Sequence, residues 1–190
     1  MEPLLKKNPD LHMKKLIWLL LILLPILGFS QNHVPEEWYG EYAGRLNIYN
    51  AAGLSMQLNM ELLVTPTDSA HRANWTISYL PDDTTGALKN DRREYELIGQ
   101  ADYPAHYVID EKNSILLDCY LMDNVMISRF RVDKALLIIN YTLLGDSVRV
   151  EIFSGPYDAV RDTGEEVEEV DNIQAFGING YHRAVLYRRK

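Results

Sequence analysis

The stretch LSMQLNMELLV, Leu54–Val64, alternates apolar and mostly polar side chains from one residue to the next. Successive side chains of a β-strand point to opposite faces, so a period of two predicts a strand with one apolar face. Such a face can contact lipid, a packed core or a bound ligand. The rest of the chain decides between these three environments.

The same period of two recurs along most of the chain, whereas helical periodicity is nearly absent. It predicts further strands at Trp38–Ile48, Trp75–Tyr79, Tyr95–Leu97, Tyr107–Ile109, Ile115–Leu121, Met126–Val132, Leu136–Leu143, Val148–Phe153 and Tyr181–Tyr187. Short polar turns such as Asp123-Asn124, Asp133-Lys134 and Gly145-Asp146 join several of them. Because a parallel crossover needs a dozen or more residues, these turns predict antiparallel neighbours.

An open sheet of this many strands would leave two edges with unpaired backbone groups. Closure removes both edges, so we predict an all-β fold, an antiparallel up-and-down β-barrel of about 8–10 strands. A β-sandwich is the alternative architecture.

The first residues have the features of a secretory signal peptide. Lys14 and Lys15 precede an apolar run from Leu16, and small residues at Gly28 and Ser30 suit a cleavage site. The run is too short to be a membrane anchor, which needs ~20 apolar residues. We therefore predict a signal peptide at 1–30, with Met13 as the true start, and one domain at 31–190. The protein is expected to be exported and periplasmic or extracellular, and not membrane-spanning after cleavage.

The net charge bears on the possible partners of the protein, and the cysteine content bears on how the domain is stabilised. Of 19 basic and 27 acidic residues, four lysines and two acids precede residue 31, which leaves 15 against 25 and a net charge of −10. Nucleic acid requires a basic surface, so no nucleic-acid partner is expected. Cys119 is the only cysteine, so the domain has no internal disulfide.

Outer-membrane barrels need strands of ~9–11 residues with aromatic girdles. Several strands predicted here are shorter, so the apolar face is expected to point into the barrel. A lumen of this kind is either filled by side chains or holds one small ligand. Twelve tyrosines against four phenylalanines favour binding, since buried hydroxyls need partners. The predicted ligand-binding residues are Tyr42, Met56, Met60, Trp75, Tyr79, Tyr95 and Tyr107.

The run ALLIINYTLL, residues 135–144, is apolar on both faces. A strand of this kind is usually covered on its outer side as well. The acidic stretch within residues 154–172, either a short helix or a solvated loop, is one candidate cover. A homodimer through the 135–144 strand is the other.

Several of these features together resemble the lipocalin-like (calycin) barrels. They are the signal peptide, the meander of strands, a non-strand segment before a basic final strand, and Trp38-Tyr39-Gly40 at the first strand. The resemblance implies that Trp38 closes the barrel base against Arg183 or Arg188, and that the lumen carries a small hydrophobic molecule. The stretches YVIDEKNSILLD (Tyr107–Asp118) and SGP (Ser154–Pro156) are also similar to uncharacterised secreted bacterial proteins.

Sequence signatures of catalysis or metal binding do not occur in this chain, among them G-x-S-x-G, H-E-x-x-H, a phosphate loop and paired cysteines. Asp68, Ser69 and His71 lie together, but on one turn where such residues normally bond the backbone. We therefore expect no cofactor, no metal and no catalysis. The predicted function is the binding of a small hydrophobic or amphipathic molecule in the lumen. The alternative is a filled barrel that serves as a protein-interaction or envelope-structural module.

Overall fold

The computed structural model describes residues 32–82, 89–158, 160–163 and 173–190. These ranges contain one short 3-10 turn, Glu36–Trp38, and twelve strands. The strands are β1 (Gly40–Asn50), β2 (Gly53–Pro66), β3 (Arg72–Pro81), β4 (Asp91–Gly99), β5 (His106–Asp110), β6 (Leu116–Met122), β7 (Val125–Val132), β8 (Ala135–Leu143), β9 (Ser147–Pro156), β10 (Val160–Thr163), β11 (Ile173–Phe176) and β12 (Gly180–Arg188).

Ten of these strands form a closed antiparallel barrel, in the order β1-β12-β9-β8-β7-β6-β5-β4-β3-β2 and back to β1. From β1 to β9 each strand pairs with the next along the chain, and β12 fits between β9 and β1. The other two strands, β10 and β11, pair separately as a two-stranded sheet. The predicted all-β antiparallel barrel is confirmed. The predicted signal peptide at 1–30 lies outside the described residues and stays a prediction.

The apolar face of β2 points into the barrel. Met60, Leu62 and Val64 are buried, whereas Gln57 and Asn59 are exposed on the outer side. Each buried side chain of this size contributes about 1.5–3 kcal/mol relative to its exposed state. The alternation of the Leu54–Val64 stretch therefore builds one wall of the core.

The alternation fails at the start of β2. Ile48 pairs with Met56 but Tyr49 pairs with Leu54, so Ser55 is an extra residue on this strand. An extra residue of this kind is a β-bulge, which shifts the side chains on one side of it by one position. Leu54 consequently leaves the inward face and is exposed.

One end of the barrel is closed by residues 32–39, here called the base segment. The segment contains the 3-10 turn, so Trp38 precedes the first strand and does not lie within it as predicted. Val34 and Trp38 are buried in the core. The backbone N–H groups of Asn32 and Val34 donate to the carbonyls of Gln100 and Ala70, each at 3.1 Å. The base segment is thus tied to the turns at this end of the barrel.

The outer side of β8 is partly covered by the chain itself. Leu136 and Ile138 line a shallow outer groove together with Phe153, Phe176 and Ile178. The acidic stretch, one of the two predicted covers, falls largely in residues 164–172, outside the described residues. The covering residues that the structure describes are Phe176, at the end of β11, and Ile178, which follows β11.

Candidate ligand-binding cavity

A cavity of about 530 Å³ occupies the barrel interior. Because every second residue of each strand points inward, all ten barrel strands contribute to its wall. The lining residues are Leu46, Ile48, Met56, Leu58, Trp75, Ile77, Tyr79, Pro81, Lys89, Asp91, Arg93, Tyr95, Ile109, Glu111, Leu117, Cys119, Met126, Ser128, Phe130, Val132, Leu137, Ile139, Tyr141, Ile152 and His182. Most of them are apolar or aromatic, which is typical of pockets for small organic molecules.

Aromatic side chains form the floor of the cavity. Trp75 meets Tyr141 edge-on, with ring centroids 5.2 Å apart. Behind it, Trp38 of the base segment lies 5.9 Å from Trp75. Neither tryptophan has more than 1% of its surface exposed. The base segment therefore separates the cavity from solvent at this end.

Arg188 at the end of β12 holds the base segment in place. Its Nη2 donates to the Glu37 carbonyl at 2.9 Å, and its Nη1 donates to the Tyr39 carbonyl. Its guanidinium carbon lies 4.8 Å from the centre of the Tyr42 ring. The Tyr42 hydroxyl in turn donates to the Trp38 carbonyl at 3.2 Å. Of the two arginines considered from the sequence, Arg188 occupies the base, and Arg183 is exposed on the outer side.

Polar groups are concentrated on the wall formed by β3 and β4. Trp75 lies opposite Tyr95, and Ile77 lies opposite Arg93, in the pairing of these strands. The Arg93 guanidinium lies 5.1 Å from the centre of the Tyr79 ring, and its Nη2 is 2.7 Å from an Asp91 carboxylate oxygen. An arginine thus faces a largely apolar cavity near its mouth.

Tyrosine is ordinarily protonated at neutral pH, and burial reinforces this state for the tyrosines in the cavity. It raises the pKa of Tyr79 and Tyr95 above the ordinary value, although nearby Arg93 acts in the opposite direction. It raises the pKa of Tyr141 well above the ordinary value. These hydroxyls therefore remain protonated at neutral pH and can donate hydrogen bonds.

Cys119 and His182 are further titratable side chains in the lining. Burial, followed by the nearby Asp118 charge, raises the pKa of the Cys119 thiol to about 12, so it is not a thiolate at neutral pH. Burial lowers the pKa of His182, so this side chain tends to be neutral. Both side chains add little charge to the apolar part of the wall.

Four of the seven predicted ligand-binding residues line the cavity: Met56, Trp75, Tyr79 and Tyr95. The remaining three are buried but lie outside the lining. Tyr42 contacts Arg188 at the base, and Tyr107 donates to the His33 carbonyl at 2.7 Å. Met60 is fully buried in the core.

Sequence reasoning missed several lining residues, most notably Asp91, Arg93 and His182. A signal was present for each of them. Asp91 and Arg93 lie four and two residues before Tyr95 on the same strand, so they share its face. His182 shares the face of Ala184 for the same reason. Only apolar and aromatic residues were assigned to the inward face of each strand. Charged residues at alternate positions on the same face were therefore not predicted to line the cavity.

His106 forms a second polar cluster, away from the cavity. Its ring nitrogens lie 2.7 Å from an Asp102 oxygen and 3.0 Å from an Asp118 oxygen, and the ring stacks on Tyr120. Burial alone would lower the pKa of His106, but the hydrogen bonds and charges of the two carboxylates raise it above the ordinary value. Both ring nitrogens can donate to carboxylates only when the imidazole is protonated.

Within the described ranges, no group of three or more His, Cys, Asp or Glu side chains is arranged to hold a metal ion. The same part of the chain contains no helix long and apolar enough to cross a membrane.

Comparison with known proteins adds information about the fold. No family model matches the chain, and no curated protein matches its sequence significantly. Among solved structures, the chain is similar to the S-type phycobiliprotein lyase CPES from Guillardia theta. The TM-score is 0.57 at 10% identity, over 82% of this chain and 90% of that one.

Two further structures are similar to a comparable degree. One is a protein of unknown function from the DUF3598 family of Nostoc punctiforme, with a TM-score of 0.54, 10% identity, and coverage of 88% of this chain and 54% of that one. The other is Rv2717c from M. tuberculosis, with a TM-score of 0.50, 11% identity, and coverage of 82% and 94%. At such identities the likeness concerns the fold. Together with the closed ten-strand barrel, these neighbours fit the lipocalin-like (calycin) fold.

Proposed function

We propose that this protein binds a small hydrophobic or amphipathic molecule inside its barrel, without catalysing a reaction. The observation that carries the proposal is the cavity of about 530 Å³, which is walled mostly by apolar side chains and closed at the base by Trp38. Ligand pockets commonly have volumes of about 300–1,000 Å³. An apolar void of this size gains stability when an apolar molecule fills it.

The composition of the wall supports an adaptable mode of binding. Met56 and Met126 lie in the lining with Leu58, Leu117 and several aromatic rings. Methionine has a flexible, polarisable side chain that adjusts to irregular apolar shapes. Flat ring systems and flexible chains both fit a wall of this kind.

Native mass spectrometry of protein purified gently from its source cells tests the proposal directly. A stoichiometric small molecule, released on denaturation, is the expected result. A chain mass without adduct, together with no uptake of any added apolar probe, would contradict the proposal.

A matched pair of variants locates the site. Leu58→Trp places an indole in the cavity, whereas Gln57→Trp places the same side chain on the outer face of β2. We expect Leu58→Trp to weaken binding of an uncharged apolar probe at least about tenfold, with Gln57→Trp unchanged. Met60 is a poor position for this test because a larger side chain there would overpack a filled region of the core. Equal affinities of the two variants would show that the probe binds elsewhere.

Protein interaction through the outer face of β8 is the second candidate function. It is favoured by the outer groove, where Leu136 and Ile138 meet the exposed side chains of Phe176 and Ile178. A homodimer through the 135–144 strand would use this face. Ile138→Lys should then convert a dimer into a monomer in sedimentation analysis. A monomeric wild-type protein would contradict that role.

We also propose that the protein is exported, with cleavage after Ser30, and that it acts in the periplasm or outside the cell. The basic start, apolar run and small residues of the first 30 positions support this. The mass of the protein isolated from its source cells gives the mature N-terminus. Full-length protein found only in the cytoplasmic fraction would contradict export.

A further inference from the structure

The start of the base segment is held by the loop between β4 and β5, residues 100–105, here called the anchoring loop. Asn32 makes the connection. Its backbone N–H donates to the Gln100 carbonyl at 3.1 Å. Its side-chain amide donates to the carbonyls of Tyr103 and His106, at 2.7 and 2.9 Å. The position of Asn32 therefore depends on the conformation of the anchoring loop.

The His106 side chain fixes the anchoring loop against the neighbouring strand. Its Nδ1 lies 2.7 Å from an oxygen of Asp102, within the loop, and its Nε2 lies 3.0 Å from an oxygen of Asp118, on β6. The ring stacks on Tyr120 of β6, with centroids 4.9 Å apart, and the residue is only 9% exposed. One imidazole thus joins the loop to the barrel wall.

The groups around His106 make this junction sensitive to its proton. Asp102 and Asp118 are the charged groups that act on the imidazole. The other neighbours are neutral: Tyr120 on β6, Gln100 on the side of β4, and Asn32 from the base segment. A protonated imidazole donates to both carboxylates, whereas a neutral one donates to one and turns a lone pair towards the other.

We propose that His106 is a pH-sensitive latch for the floor of the cavity. The protonated imidazole holds the anchoring loop against β6 and, through Asn32, the start of the base segment. Loss of the proton breaks one of the two bonds to carboxylate and loosens both. Arg188 still holds the other end of the segment at the Glu37 and Tyr39 carbonyls. The inference concerns the base of the barrel, so it does not depend on whether the cavity carries a ligand.

The direction of the pH effect follows from the pKa of His106. Burial alone would lower this pKa, but the bonds and charges of the two carboxylates raise it above the ordinary value of about 6.5. The latched state therefore binds the proton more tightly than the open state. Opening is least favourable below about pH 6.5, becomes more favourable as pH rises through the raised pKa, and is constant above it.

Amide hydrogen exchange tests the latch at single residues. It is expressed as a protection factor, which removes the pH dependence of the exchange chemistry itself. We expect the protection of the Asn32 and Gln100 N–H groups in wild-type protein to fall about fivefold between pH 6 and pH 9, the factor that one lost hydrogen bond supplies. The Leu143 N–H donates to the Asn124 carbonyl at the same end of the barrel and should keep its protection.

Two variants remove the latch in different ways. His106→Gln has no proton to lose, so its Asn32 and Gln100 amides should show the wild-type pH 9 protection at both pH values. Asp118→Asn can donate from its amide to a neutral imidazole, so the fall should largely disappear. This second variant carries the test if His106→Gln unfolds, which thermal unfolding shows.

Asp158→Asn is the matched control, because Asp158 is exposed and follows β9 at the opposite end of the barrel. It should retain the wild-type fall in protection. His33 and His71 meet edge-on near the base, with ring centroids 4.8 Å apart. Both are present in every variant, so the difference between wild type and His106→Gln belongs to His106.

Three results would overturn the latch. The first is wild-type protection of Asn32 and Gln100 that does not change with pH. The second is an equal fall at Leu143, which would assign the effect to the stability of the whole barrel. The third is a fall that persists in His106→Gln, which would assign it to another group. Each leaves the carrier function to be decided by mass spectrometry.

Discussion

The two ends of the barrel use polar groups in opposite ways. At the base, the donors of Arg188, Tyr42 and Tyr107 are all paired with backbone carbonyls of the base segment. In the cavity above it, Arg93 is paired with the Asp91 side chain, and its guanidinium has further N–H groups to offer. Satisfied groups stabilise a fold, whereas unsatisfied donors inside a cavity are available to a ligand.

Trp38→Ala should have the largest effect on stability. Trp38 is only 1% exposed and backs the cavity floor, so its loss should cost about 3–5 kcal/mol of unfolding free energy. Met56→Ala at the mouth, where the side chain is 42% exposed, should cost less than about 1 kcal/mol. Urea denaturation measures both. Equal losses would show that the two ends do not differ in stability.

Arg188→Met should have the next largest effect. Removing the side chain leaves the Glu37 and Tyr39 carbonyls without their charged donor, at a cost of about 1–3 kcal/mol. Arg183→Met on the outer face of the same strand should stay within about 0.5 kcal/mol. The comparison fails if the two arginine variants have the same denaturation midpoint.

His106 should make stability depend on pH. Its folded-state pKa is raised, so its contribution is fully present below the unfolded value of about 6.5 and is lost as pH rises through the folded value. The free energy of unfolding of the wild-type protein should therefore exceed that of His106→Gln by on the order of 1 kcal/mol at pH 6. This difference should become smaller by pH 9. Chemical denaturation across this range measures the gap. Parallel profiles would exclude a proton-linked contribution from His106.

Tyr95→Phe should have the smallest effect on stability, within about 0.5 kcal/mol, because only one hydroxyl at the mouth is lost. The same variant should nevertheless lower affinity for a ligand that forms a hydrogen bond with the Tyr95 hydroxyl in the cavity. Thermal unfolding and ligand titration on one preparation give both values. A large loss of stability without a loss of affinity would assign Tyr95 to the scaffold.

The fold was predictable because its signals are local. The alternation of Met56–Val64 and turns such as Asp123-Asn124 indicate strands and their antiparallel pairing without knowledge of the rest of the chain. The depth of a residue along the barrel is not local, since it depends on how the tilted strands align when the ring closes. Met56 and Met60 are therefore indistinguishable in sequence, yet one lines the cavity and the other is buried outside the lining.

Part of the site was predictable by the same reasoning. Trp75, Tyr79 and Tyr95 were found from their parity and their aromatic character. Arg93 was not, because a charged side chain on an inward face contradicts the expectation that interiors are apolar. The contact of Trp75 with Tyr141 joins two strands that are distant in sequence, so it could only be found in three dimensions.

The pairing of β1 with β12 has a consequence for the order of folding. Leu46 lies opposite Ala184, and Ile48 lies opposite His182, so the first and last strands of the barrel meet across nearly the whole domain sequence. Contacts of such separation form slowly, because the chain loses much conformational entropy before they are made. Leu46, Ile48 and His182 are also cavity residues. A growing chain therefore has no enclosed cavity until β12 has been synthesised and has joined the ring.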